Sequence, residues 1–247
     1  MAVNSITFNG RNSLDYGLYV SGGKTFNSAE KDYSKVSVPG RSGDLLIFNN
    51  RFKNVNVVYD SIIIENYYEN VELIREWLLT ADGYCRLEDT YHPDEFRIAS
   101  FSGPIEIDNM YFQAGSTSLT FDAKPQRWLK SGENKILVTP EYNYPIVNPT
   151  ACTSQPLIRV YLSETATSGH VLVGAGEITV EKPDTFTGDF WVDIDCSIMD
   201  CYRETTNMNP HVKISKWPEF KAGNSYVVFD DNTDITKIEI IPRWWRL

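Results

Sequence analysis

Residues 53–64 read Lys53-Asn54-Val55-Asn56-Val57-Val58-Tyr59-Asp60-Ser61-Ile62-Ile63-Ile64, and residues 66–80 read Asn66-Tyr67-Tyr68-Glu69-Asn70-Val71-Glu72-Leu73-Ile74-Arg75-Glu76-Trp77-Leu78-Leu79-Thr80. The two stretches obey different periods. In the first, polar and apolar residues alternate from Lys53 to Val57 and run on into Val58 and Tyr59, which is the period of a half-buried strand. Asp60-Ser61 reads as a separator before Ile62-Ile63-Ile64. In the second, Val71, Ile74, Trp77 and Leu78 recur at spacings of three and four, the stripe of an amphipathic helix. Asn66 is placed to cap it, with Glu69 as its capping-box partner. Gly83 is placed to stop it, because glycine tolerates the left-handed conformation past a helix end. The expectation is one helix of about four turns near 66–81, packed on a sheet.

On both sides of this pair the period is two. Ser5-Ile6-Thr7-Phe8 alternates and meets the turn signal Asn9-Gly10, and Lys35-Val36-Ser37-Val38 alternates and ends at Pro39-Gly40. Both read as half-buried strands in a mostly antiparallel arrangement. After the helix, strands are expected at 84–87, 95–101, 105–108 and 116–123, with the polar loop Asp89-Thr90-Tyr91-His92-Pro93-Asp94 between the first two. The second half shows seven further strands, at 156–161, 170–173, 177–180, 190–194, 211–214, 225–229 and 237–241, and no convincing helix. Short strands separated by Gly, Asn, Asp and Pro suggest a β-sandwich. The polar stretch Lys130-Ser131-Gly132-Glu133-Asn134 marks a boundary. The chain is therefore expected to be mainly β, with an N-terminal β domain carrying one helix over 1–131 and a β-sandwich domain over 132–247.

Composition narrows the function. The 247 residues carry a formal net charge of −10 with no basic run, so the lysine and arginine excess that grips phosphates is missing. An acidic wall is compatible with letting DNA pass without binding it specifically. The four cysteines, Cys85, Cys152, Cys196 and Cys201, contain no CxxC pair and make neither a zinc site nor a disulfide framework. The N-terminal residues show no basic start followed by an apolar segment, and no apolar run is long enough to span a bilayer. The expectation is a soluble protein assembled in a cytoplasm, with no membrane insertion.

A search for chemistry returns negatives. His92, His170 and His211 share no ligand spacing, and a catalytic histidine needs a positioned partner. There is no G-x-S-x-G elbow. Pro39-Gly40-Arg41-Ser42-Gly43 lacks the lysine of a phosphate loop and reads as a tight turn. Asp230-Asp231-Asn232-Thr233-Asp234 starts like a calcium loop, but Ile235 and Ile241 stand where glycine and glutamate belong, so it reads as a hairpin turn. Asp193 and Asp195 share a strand face and read as a solvated acidic pair, not a glycosidase pair. Trp191 reads as core. Trp244 and Trp245 cannot both point one way in an extended chain, so one packs on the sandwich while the other docks elsewhere; both stand as partner-docking candidates. No catalytic, cofactor-binding or metal-binding residue emerges, and the expectation is a protein that is no enzyme and needs no cofactor.

The segments together resemble the distal tail (Dit) family of long-tailed, non-contractile phages. Ile6-Thr7-Phe8-Asn9-Gly10, then Asp15-Tyr16-Gly17-Leu18-Tyr19-Val20, resemble its opening. Val36-Ser37-Val38-Pro39-Gly40-Arg41-Ser42-Gly43-Asp44-Leu45 resembles its "PGR-G-L" turn. Trp77-Leu78, Gly83-Tyr84, Leu87-Glu88-Asp89, Pro93 with Arg97-Ile98-Ala99, Phe121 with Pro125-Gln126-Arg127-Trp128-Leu129, and Ile241-Pro242-Arg243-Trp244-Trp245-Arg246-Leu247 follow in the same order. The resemblance implies a β-barrel-like first domain closing into a homo-hexameric ring and a galectin-like second domain projecting outward. It implies a structural hub at the virion's tail tip. The ring would have the tail-tube protein on one side and a Tal-like tail-associated hub or fibre protein on the other, with receptor-binding or other baseplate proteins on the second domain. Lys35 to Val38 and Asp44 to Phe48, bent by the Pro39 to Gly43 turn, are expected near the subunit interface, with Val36, Val38, Pro39, Gly40, Arg41, Gly43 and Leu45 as its named residues, where exposed strand edges can pair between copies. The other reading is a cell-surface carbohydrate-binding module. His170, Arg159, Asn148 and Trp191 are its candidates, although the H-x-N-x-R pattern of galectins is missing.

Overall fold

The computed structural model describes residues 3–24, 26–64, 66–111, 114–140, 143–230 and 234–247. The chain divides into two compact units, Met1–Arg127 with Leu247, and Trp128–Arg246.

The first unit is one curled antiparallel sheet with a helix. Along the sheet the strands run Arg11–Asn12, Ile6–Phe8, Cys85–Asp89, Glu95–Ser100, Ala114–Ala123, Val55–Ile64 and Leu18–Val20, and Ile107–Tyr111 also pairs with Ala114–Ala123. Val55–Ile64 is a single strand in strict alternation, Val55, Val57, Tyr59, Ser61 and Ile63 inward and the residues between them outward. The separator expected at Asp60-Ser61 does not exist, because the pair keeps the phase. Asp60 faces solvent, and Ser61 turns in with its hydroxyl donating to the Tyr59 carbonyl at 3.2 Å.

The helix Tyr67–Leu79 buries Val71, Ile74, Trp77 and Leu78 as its period requires. Trp77 donates from Nε1 to the Phe8 carbonyl at 3.0 Å, and its ring stacks on Tyr16 with centroids 5.0 Å apart. The indole polar atom is thereby satisfied inside an apolar core of Ile6, Phe8, Leu18, Ile63, Leu87, Leu119 and Phe121. Both cap assignments are corrected. Asn66 sits in the left-handed region at φ 44° and its side chain makes no capping bond, while the helix ends at Thr80, before Gly83. Gly115 is required by packing: a Cβ there would lie 2.3 Å from the Tyr67 ring and 2.9 Å from the Asp108 carbonyl.

The second unit is a sandwich of two antiparallel sheets. One runs Ile136–Val138, Ile235–Ile241, Leu157–Leu162, Phe190–Asp195, Asp200–Arg203, Thr206–Asn207; the other runs Tyr144–Asn148, Gly223–Phe229, Ser168–Val173, Gly176–Glu181, Val212–Ile214. Their inner faces meet through Ile158, Val160, Val192, Ile194, Ile238 and Ile240 against Ile146, Val171, Val173, Ile178, Val180 and Val227. The hairpin expected at 230–234 is corrected in part: the flanking strands Gly223–Phe229 and Ile235–Ile241 belong to different sheets and do not pair with each other. Asp231, Asn232 and Thr233 lie outside the described residues. Lys130–Glu133 forms a 3-10 turn whose Gly132 accepts the Arg243 N–H at 2.9 Å.

Asp193 and Asp195 are also corrected, since neither is solvated. They are 5% and 6% exposed. Arg159 grips Asp193 with two bonds of 2.6 and 2.7 Å, from Nε and Nη2, and lies 4.0 Å from the Trp191 ring centroid. Arg243 grips Asp195 at 2.7 and 2.9 Å, and Ser197 adds two more donors. Burial alone would raise the Asp195 carboxyl, but the Arg243 fork and the Ser197 bonds bring it down to about 2. A carboxyl depressed in the folded state stabilises fully above its ordinary value and loses that contribution as pH falls through the folded value. Arg243→Met leaves a buried carboxylate unpaired, and with 27% of the arginine side chain exposed the expected loss is about 2–3 kcal/mol. Urea unfolding of the second unit should show the full gap between the two proteins at pH 7 and a shrinking gap from pH 4 towards pH 2.

Candidate subunit-interface hairpin

Residues 31–52 leave the half-barrel as a two-stranded ribbon, Lys31–Val36 against Leu45–Phe52, which pairs with no other strand among the described residues. The turn at its tip follows from sequence. Gly40 has φ +80° behind Pro39, and Arg41 donates its N–H to the Val38 carbonyl at 3.1 Å, the pattern of a proline–glycine β-turn. Gly43 has φ +85°, a second position where a side chain would be strained. At the base, the Lys53 N–H donates to the Glu30 carbonyl at 2.8 Å, closing the ribbon.

The register sorts the side chains. Tyr33 opposes Phe48 and Lys35 opposes Leu46 on one face; Ser34 opposes Ile47 and Val36 opposes Leu45 on the other. Both faces are therefore apolar, and both are exposed: Tyr33, Val36, Leu45, Leu46, Ile47 and Phe48 are 39–55% accessible. The expectation of a half-buried strand is corrected, since within this chain neither face is covered. The Tyr33 and Phe48 rings touch at 5.3 Å between centroids, and Phe48 and Phe52 at 6.2 Å. Arg51 donates to Asp32 at 2.6 Å and, chiefly through that bond, holds its carboxyl below the ordinary carboxylate range. An isolated two-stranded ribbon is marginal in water, and contiguous exposed apolar surface marks a contact site.

The structure brings most of the expected interface residues together. Val36 and Leu45 form the last rung before the tip, Val38 follows half-buried, and Pro39, Gly40, Arg41 and Gly43 make the exposed tip. Tyr33 and Phe52 were not among the residues expected. The available signal was the unbroken run Leu45-Leu46-Ile47-Phe48, which suits a strand with both faces covered better than one with a solvent face.

The remaining candidates are absorbed by structure. Trp244 is 5% exposed in the second core, its ring 5.8 Å from Phe220, so it is a core residue and offers no docking surface. Trp245 is half-buried and donates from Nε1 to the Thr153 carbonyl at 3.0 Å. His170 pairs through Nδ1 with Asp230 at 2.9 Å, Arg159 is held by Asp193, and Asn148 donates to the Cys152 and Phe220 carbonyls, so these residues form no convergent sugar site. None of the four cysteines is in a disulfide; burial pushes the Cys196 and Cys201 thiols up to about 12. Among the described residues no three His, Cys, Asp or Glu side chains gather as metal ligands, and no helix is long and apolar enough to cross a membrane.

A curled half-barrel with one helix followed by a two-sheet sandwich is the fold of the phage distal tail hub proteins. Among solved structures the chain is similar to the Dit protein of phage SPP1, described as a paradigm of the hub adsorption apparatus in phages infecting Gram-positive hosts. The match covers 100% of both chains at 16% identity with a TM-score of 0.74. It is also similar to a chain of the phage P2 baseplate in its activated conformation with Ca, over 97% of each chain at 9% identity with a TM-score of 0.52. No family model and no curated protein matches it. The fold expected from the sequence resemblance is borne out.

Leu46 and Phe48 are exposed and the ring contacts of Phe48 stay within the ribbon, so polar replacements there leave the core intact. Leu46→Ser with Phe48→Ser should reduce the fluorescence of a bound apolar dye such as ANS while changing folding stability by less than about 0.5 kcal/mol.

Proposed function

We propose that the chain is a structural distal tail protein, forming a hexameric ring hub that joins the tail tube to the tail-tip adsorption apparatus and leaves a channel for DNA. The observation that carries this reading is the ribbon 31–52, apolar on both faces and uncovered, on a chain with the full-length Dit fold. A ring needs two different patches per subunit that fit each other. The ribbon supplies one. The outer face of Val55–Ile64, where Val58, Ile62 and Ile64 are 37–46% exposed, supplies a candidate for the other. In this reading the ribbon of one copy lies on that ridge of the next. The tail-tube protein and a Tal-like hub or fibre protein are its neighbours on the two sides, receptor-binding or other baseplate proteins dock on the sandwich, and the assembly resides at the virion tail tip after forming in the host cytoplasm.

The carbohydrate-binding alternative has one observation in its favour. A shallow groove of about 560 Å³ on the second unit is lined by Asn143, Glu219, Lys221, Asn224 and a half-exposed Tyr226, an aromatic ring with polar groups around it. Glycan binding abolished by Tyr226→Ala, with a monomeric chain, would favour that reading.

Native mass spectrometry and negative-stain microscopy separate the two. The hub predicts uniform rings at about 100 µM protein and a loss of ring affinity of at least ~30-fold in Val36→Asp and Leu46→Asp, the scale of an interface hot spot. Val58→Asp should do the same from the opposite patch. Compact monomers at that concentration, or rings indifferent to all three changes, overturn the proposal.

A further inference from the structure

The first unit also holds a buried cluster of charges that the hub reading leaves unused. Asp89 is its centre. Its Oδ2 accepts from the Tyr59 hydroxyl at 2.7 Å and from Lys24 Nζ at 3.3 Å; its Oδ1 accepts the His92 N–H at 2.9 Å and faces His92 Nδ1 at 3.2 Å. The Lys24 side chain is only 5% exposed, and its ammonium lies 3.3 Å above the Tyr59 ring centroid. On Glu95–Ser100, Glu95 and Arg97 share a face, and Glu95 pairs with Arg127 at 3.3 Å. That leaves Arg97. Its Nη1 is buried and has no hydrogen-bond partner.

Among its side chains the cluster holds more cations than carboxylates: Lys24, Arg97 and Arg127 against Asp89 and Glu95. Arg127 is engaged on both sides, by Glu95 at 3.3 Å and by the Leu247 oxygen, which accepts from Nε at 3.2 Å and from Nη2 at 2.7 Å. Burial, and after it the nearby Arg127, lowers the Arg97 guanidinium; burial above all, with a smaller part from Arg97, lowers Lys24 to about 8. Both are cations held in a desolvated setting, and of the two only Lys24 has a carboxylate in direct contact. Beside them lies a cavity of about 40 Å³ lined by Lys24, Asp89, His92, Arg97 and Arg127. One water needs roughly 10–15 Å³, so the space is large enough for a carboxylate head. A guanidinium matches an oxyanion by its planar fork, and a buried one without an acceptor is costly.

We propose that this cavity is a binding site for a small oxyanion, a carboxylate or phosphate group, received by Arg97 with Lys24 and Arg127 beside it. The ligand supplies a hydrogen-bond acceptor for the Arg97 guanidinium and further negative charge. It comes either as a free ion or as an acidic side chain of a second copy.

Inorganic phosphate is the probe, titrated into the full chain in Tris chloride at constant ionic strength, with calorimetry following the first unit's transition. The wild type should gain about 3 °C or more at saturation. Arg97→Met should lose that response and should melt no earlier than the wild type in phosphate-free buffer, because it removes an unpaired buried charge. Arg97→Lys should respond with at least tenfold weaker affinity. Native mass distinguishes the sources: an unchanged mass identifies a free oxyanion, and dissociation of a larger species by phosphate identifies a carboxylate from another copy. A wild type that does not respond, an Arg97→Met chain that responds equally (an adventitious ion only), or an Arg97→Met chain that melts early in phosphate-free buffer overturns the proposal.

Discussion

The first unit depends on one ladder. Val55–Ile64 pairs with Ala114–Ala123 in unbroken antiparallel register from Val55 opposite Ala123 to Ile64 opposite Ala114. Because side chains alternate, a slip of one residue would send every inward group of Val55–Ile64 outward. That register sets three things at once. It puts Val57, Tyr59 and Ile63 into the core under the helix. It aims the Tyr59 hydroxyl at Asp89, so the buried charge cluster exists only in this register. It turns Val58, Ile62 and Ile64 out as an apolar ridge. Core, polar cluster and outer ridge are consequences of one pairing.

The helix and most strands were legible because their periods are long enough to exceed local noise. What failed to read was local. Asp60-Ser61 looked like a break because its composition is polar, yet phase decides, and a small hydroxyl can be buried once it bonds to the backbone. Asn66 looked like a cap because its type suits one, but it adopts the left-handed conformation that asparagine tolerates and leaves its side chain out of the helix end. Asp193 and Asp195 looked solvated because their cross-strand partners are distant in sequence: Arg159 is 34 residues from Asp193, and Arg243 is 48 from Asp195. No local pattern announces such pairs. The exposed ribbon was half legible. The proline–glycine turn identified its tip, and the run 45–48 signalled two apolar faces, but Tyr33 joined the patch only through the register.

The same long-range pairing occupies the charged groups of the sandwich. In the sandwich, Arg159, Asp193, Asp195, Arg243 and His170 are each held by a partner on another strand or loop. Replacing such pairs with apolar residues is often tolerated, but removing one member is not, so they restrict which strand can sit where. Specifying register in this way suits a scaffold.

The ribbon and the net charge belong together. Six apolar side chains presented on both faces of a lone hairpin invite non-specific association, and a marginal hairpin would slip its register if free. The net charge of −10 makes encounters between copies repulsive at long range. Only a contact that buries both ribbon faces at short range, within about a Debye length of 8–10 Å, gains enough to overcome that repulsion. Charge repulsion at long range thus opposes the non-specific association that the exposed ribbon invites at short range.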